Sequence, residues 1–140
     1  MMHIYHCTLQ LHDVVFYATR EMGRLYETGK YLHNFALSYA LQLIQSEYYI
    51  AEQVPRYQED LGTLNQQGIY VTPAKPLHCD FLLHTFKLAN DWYHVEMGKP
   101  KKNIPNYGRA KELAPESTFL FYVLSEKSLT LPRWIRLGKW

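Results

Sequence analysis

The chain has 140 residues, 47% hydrophobic and 20% charged. That length suits one domain, and that balance excludes a disordered or low-complexity polypeptide. The formal net charge is only +2, which excludes a strongly basic or acidic protein, but the charge is unevenly spread. Residues 1–98 hold six Lys/Arg against ten Asp/Glu, whereas residues 99–140 hold nine Lys/Arg against Glu112, Glu116 and Glu126, a balance of +6.

Along the chain, residues 2–11 alternate: Tyr5, Cys7, Leu9 and Leu11 share one side, His6, Thr8 and Gln10 the other. A period of two predicts an opening strand with one buried face. Residues 12–30 break the pattern and place Arg20, Arg24 and Lys30 among Tyr17, Tyr26 and two glycines, which reads as a long ordered loop of the kind that carries function. Leu32, Phe35, Ala36, Tyr39, Ala40 and Leu43 follow helical spacing and predict a helix over 31–45 with that stripe in the core. Residues 46–68 read as a connection with a short helical turn near Gln58–Leu64. A short strand at Ile69–Thr72 stops at Pro73. Residues 79–88 and 92–97 read as a hairpin closed by Asn90-Asp91, followed by the basic loop GKPKKNIPNYG. Arg109–Leu113 reads as a short helix ending before Pro115, and Phe119–Leu124 as a buried strand. The order fits an α+β sandwich of the ferredoxin-like (RRM-like) type with an inserted β-hairpin, forming a single domain over 1–140.

Cys7 and Cys79 lie far apart, outside any CxxC pair, and read as buried structural thiols. MMHIYHCTLQLHD has no charged-then-apolar leader, and no apolar run reaches the ~18 residues of a bilayer span. A cytoplasmic protein without a membrane partner is the expectation.

Seven histidines raise the question of metal or acid–base chemistry. His3 and His6 fall on opposite faces of the first strand, and no HExxH, paired CxxC or tight carboxylate cluster is present. Neither GxSxG nor a P-loop occurs. No catalytic residue, metal site or cofactor is expected. General acid–base residues need only meet in space, so a metal-independent ribonuclease stays open as the alternative.

Basic residues interleaved with aromatics and glycines are the better candidates. Asn103, Tyr107, Arg109 and Lys111 lie in or just after a glycine-bounded loop, and Arg133, Trp134, Arg136 and Lys139 form a second group beside Trp140. Lys and Arg neutralise phosphates, while Trp and Tyr stack on unpaired bases. The same pattern would arise if Trp134 and Ile135 were core residues flanked by exposed charges on an edge strand. With Arg20 and Arg24 of the earlier loop, these are the candidate RNA-binding residues.

Several segments carry a family resemblance: YATREMGRLYETGKYLHNFALSYAL, VPRYQEDL, GIYVTPA, NYGRAKELAPEST and LPRWIRLGKW. Together they resemble the Csc-type subunit of type I-D CRISPR effectors, which fills the role called Cas-five in other Cascades. The resemblance implies a RAMP protein with an RRM-like core. It also implies a non-catalytic, RNA-binding role: clamping the crRNA 5′ handle, capping the filament of backbone subunits, and contacting the large subunit near the PAM end of target DNA. Chains of this family continue past LGKW, so the stop at Lys139-Trp140 suggests a truncated product or a missing partner segment.

Overall fold

The structure is a computed structural model that describes residues 1–45, 54, 56–87 and 107–137. The expected hairpin arm at 92–97, and candidate residues Asn103 and Lys139, lie outside these. The described chain is α+β and divides into two compact units.

Unit 1 comprises Met1–Gln10, Lys30–His78 and Thr118–Trp140. Its sheet is built around β8 (Thr118–Ser125), which pairs antiparallel with β1 (His3–Gln10) on one side and with β4 (Ile69–Val71) and β5 (Lys75–His78) on the other. The sequence TFLFYVLS is all β-branched, aromatic, aliphatic or hydroxyl side chains, so it suits a strand paired on both edges. Phe119, Phe121, Val123 and Ser125 are buried, while Thr118, Leu120, Tyr122 and Leu124 alternate with them on the other face. By register, Tyr5, Cys7 and Leu9 of β1 and Ile69 and Val71 of β4 share the buried face. The alternation read for the first strand therefore holds. Cys7 is half-buried, and burial pushes its thiol up.

Two helices pack against β4: α1 (Asn34–Ala40) and α2 (Tyr57–Gln66). The expected helix over 31–45 is shorter at both ends. His33 Nδ1 accepts the Phe35 N–H at 3.3 Å and starts it. At the other end Gln42 adopts φ 57°, with its N–H on the Tyr39 carbonyl and the Leu43 N–H on the Ser38 carbonyl. These crossed bonds end a helix. The buried stripe also differs from the expected one: Leu37, Leu41 and Ile44 are buried, whereas Phe35, Tyr39 and Leu43 are half-buried and Ala36 is exposed. Phe35 instead meets the Tyr57 ring at 4.9 Å, and the Tyr39 hydroxyl donates to Asp60 at 2.6 Å, so both join α1 to α2. Burial and the carboxylate partner push that hydroxyl up. The connection into β4 turns at Gly68, whose φ of 66° follows the last turn of α2.

Unit 2 comprises Leu11–Gly29 and Cys79–Ser117. Its four-stranded sheet runs β2 (Arg20–Met22), β3 (Leu25–Glu27), β7 (Tyr107–Leu113), β6 (Phe81–Lys87). Two expectations are corrected here. Residues 12–30 are not all loop, because β2 and β3 form a tight hairpin whose turn uses Gly23 at φ 62°. Arg109–Leu113 is not a helix, because residues 107–113 lie between β3, parallel, and β6, antiparallel. Helix-forming Arg, Ala, Lys, Glu and Leu are overridden by backbone pairing on both edges. The first expected hairpin arm is β6, but its observed partner is β7.

Candidate nucleic-acid interface

The registers of unit 2 sort its side chains onto two faces. Arg20 lies opposite Glu27, Glu27 opposite Lys111, Leu25 opposite Arg109, Arg109 opposite Thr85, and Tyr107 opposite Lys87. Arg20, Lys87, Tyr107, Arg109 and Lys111 thus share one face. Contacts confirm the assignment: Arg20 Nε donates to Glu27 at 2.9 Å, Lys111 Nζ lies 3.8 Å from the same carboxylate, and it sits 4.4 Å over the Phe81 ring. Glu21, Tyr26, His84, Phe86, Ala110 and Glu112 occupy the opposite face, where Tyr26 and Phe86 meet at 5.9 Å. The sheet is therefore two-sided in charge: Arg20, Lys87, Arg109 and Lys111 against Glu27 alone on one side, Glu21 and Glu112 on the other.

Local sequence explains the exposed cations. In YGRAKEL, Gly108 and Ala110 are small and buried, which turns Tyr107 and Arg109 outward, with Lys111 half-buried. The β2–β3 turn brings the Arg24 carbonyl to the Arg109 N–H at 2.8 Å, leaving the Arg24 side chain exposed at the hairpin tip. Glu27 is held below the usual carboxylate range, first by the Arg20 hydrogen bond and then by the nearby charges of Arg20 and Lys111. Tyr17 helps to fix the segment before β2, its hydroxyl donating to the Gly29 carbonyl at 2.8 Å, and burial raises it to about 12.

The structure splits the predicted set. Arg20, Arg24, Tyr107, Arg109 and Lys111 are gathered by one sheet of unit 2. Arg133, Trp134 and Arg136 belong to unit 1, in an irregular segment after β8. Trp134 is 74% exposed and no strand forms there, so the core-tryptophan edge strand is not what the chain adopts. That segment is tied back where the Leu129 N–H reaches the Tyr5 hydroxyl at 2.6 Å. Sequence reasoning missed Lys87 and Glu27. The parity of β6 and β7 would have found Lys87, had Tyr107–Leu113 been read as the partner strand.

Among the described residues, no group of three or more His, Cys, Asp or Glu could hold a metal ion. No helix there is long and apolar enough to cross a membrane. What the arrangement offers is charge and flat rings for a polyanion.

No curated protein matches the chain. A family model described as Type I-D CRISPR-associated protein Cas5/Csc1 matches residues 2–140, so the chain belongs to that family and is a Cascade subunit of a type I-D CRISPR system.

Proposed function

We propose that this subunit is a non-catalytic RNA-binding protein that clamps the crRNA 5′ handle on the basic face of unit 2. The observation that carries this reading is the convergence of Arg20, Lys87, Arg109 and Lys111 beside Tyr107 on one side of a single sheet. Guanidinium and ammonium groups on that side neutralise phosphates, and exposed Tyr107 provides a ring for an unpaired base. In the same reading unit 1 is the ferredoxin-like RAMP core, supported by helices packed on one face of its antiparallel sheet. The protein acts in the cytoplasm, caps the filament of backbone subunits and meets the large subunit near the PAM end of target DNA.

Handle-RNA titrations at several salt concentrations test the proposal. Each phosphate contact removed, by Arg109→Ala or Lys111→Ala, lowers the salt slope by about 0.7 for single-stranded RNA. Variants that bind the handle with the parent's affinity and slope would remove this face from the RNA site. Site-specific cleavage of repeat RNA by the purified protein, abolished by one His→Ala change, would overturn the non-catalytic part.

A further inference from the structure

Among the described residues, helices cover one face of the unit 1 sheet. The other face carries Ile4, His6, Thr8 and Gln10 from β1, Leu120, Tyr122 and Leu124 from β8, Tyr70 from β4 and Lys75 from β5. Three of its members are open, Ile4 at 67% exposed, Tyr70 at 53% and Tyr122 at 38%, while Leu120 and Leu124 between them are half-buried. His6 and Tyr122 lie opposite each other on paired strands, with ring centroids 5.4 Å apart at 75°. The edge-on imidazole props the phenol ring on the central strand. Tyr70 lies beside Leu124, one register step along the sheet on the next strand.

Charge distinguishes this face from an ordinary protein-docking patch. The strands HIYHCTLQ, IYV, KPLH and TFLFYVLS contain no Asp or Glu, and their ionisable groups that can carry positive charge are Lys75 and histidines. The other sheet, by contrast, holds Glu21, Glu27 and Glu112. Open rings on a flat sheet without carboxylates suit a ligand that is both flat and anionic. Bases have π-faces, and their backbone is repelled by acids but not by this surface.

We infer that the open face of the β1–β8–β4 sheet is a second nucleic-acid site, on which unpaired bases of a single strand stack against Tyr122 and Tyr70. This site is separate in residues from the basic face of unit 2 and differs in its chemistry: here stacking dominates, whereas there four cations neutralise phosphates beside the single ring of Tyr107. It therefore does not depend on the handle-clamping proposal.

The test uses the full chain and three fluorescent RNA probes: a short oligoadenylate, the same backbone with abasic sugars, and a duplex. The parent should bind oligoadenylate more tightly than the other two. Tyr122→Ala should weaken oligoadenylate binding by about 5- to 150-fold, the range for one lost base–aromatic stack, with the salt slope unchanged. Tyr122→Phe, which keeps the ring, should restore it. Tyr70→Ala should also weaken binding, and it provides an independent readout if Tyr122→Ala does not fold. Parent-like oligoadenylate binding by both alanine variants, or equal affinity of the parent for abasic and normal strands, would overturn the inference. Release of another subunit from the assembled effector by Tyr122→Ala, with RNA binding intact, would mark the face as a protein-docking surface and overturn it too. Failure of Arg109→Ala to alter the salt slope would count against the basic face and leave this site standing.

Discussion

Strands β8 and β7 hold the same place in their sheets, each paired along both edges, yet their sequences share little. In β8 the residues themselves dictate the strand. Every second side chain is large or hydroxylic and buried, and none is charged. In β7 the residues YGRAKEL favour a helix, and the strand exists because β3 and β6 supply partners for its backbone. The difference has a functional consequence. A strand fixed by its own burial cannot spare side chains for a ligand on that face. A strand fixed by its neighbours can carry Arg109 and Lys111 outward, because small Gly108 and Ala110 meet the packing requirement.

If burial is what fixes β8, its largest core residue should dominate stability. Phe119 is fully buried. Phe119→Ala should cost about 3–5 kcal/mol in urea unfolding. An Arg109→Ala variant, altered at an exposed site on β7, should stay within about 0.5 kcal/mol of the parent. Equal costs at the two sites would break the comparison.

The same contrast can be sharpened in α1 and the turn that follows it. Leu37 is fully buried and Leu43 is half-buried. Leu37→Ala should cost about 2–5 kcal/mol and Leu43→Ala clearly less. The reverse ranking, measured by thermal or urea unfolding, would restore the stripe expected from sequence.

These cases also show how much could be read before the structure. The strand at β1 was legible because its alternation is set locally. The short strand at β4 and the buried strand β8 were legible from their runs of apolar residues, whereas the helical turn now seen as α2 was read from a segment with little periodicity. The boundaries of α1 were not, because Leu32 pairs with Ala74 and a positive-φ Gln42 ends the helix, neither of which the i, i+3, i+4 spacing reports. The hairpin β2–β3 hid in three-residue strands rich in charge. On the candidate site, the residue types Arg20, Arg109 and Lys111 were readable as polyanion ligands. Their sharing of one face was not, because it depends on a parallel pairing between β3 and β7 that joins segments about 80 residues apart. The open face of the other sheet was equally hidden: Tyr70 and Tyr122 share that face only through the β4–β8 register.

A smaller effect should come from the turn between α2 and β4. Gly68 has φ 66°, and an added Cβ would lie 2.6 Å from Glu126 Cδ. The exposed Glu126 side chain can move aside, but the left-handed backbone cannot be relieved. Gly68→Ala should therefore cost about 1–2 kcal/mol. Glu126→Ala combined with it should recover little of that loss, which separates backbone strain from the side-chain clash. Full recovery in the double variant would show that the clash dominates.

The smallest stability effect, and the most informative about the basic face, belongs to Glu27. Its carboxylate lies between Arg20 and Lys111 and is the one acid among the paired residues on that side. Its folded-state pKa is lowered, so its contribution to stability is present above the unfolded-state value and fades as pH falls through the folded one. Glu27→Gln should therefore differ most from the parent near neutral pH and converge with it in acid, where the parent's Glu27 is protonated. RNA binding should move in the opposite sense. Removing the carboxylate frees Arg20 and Lys111 and raises the net positive charge of the face. The variant should thus bind handle RNA more tightly than the parent at pH 7 and low salt, with the advantage shrinking as salt screens the face. Lowering the pH should close the gap, because the parent then loses the same charge. Urea midpoints and RNA titrations on the two proteins, run over one pH series, check both senses together. If Glu27→Gln weakens RNA binding at neutral pH, the carboxylate positions the cations rather than competing for them. The face would then have to be redrawn with Arg20 and Lys111 as Glu27-held partners and Arg109 and Lys87 as the phosphate contacts.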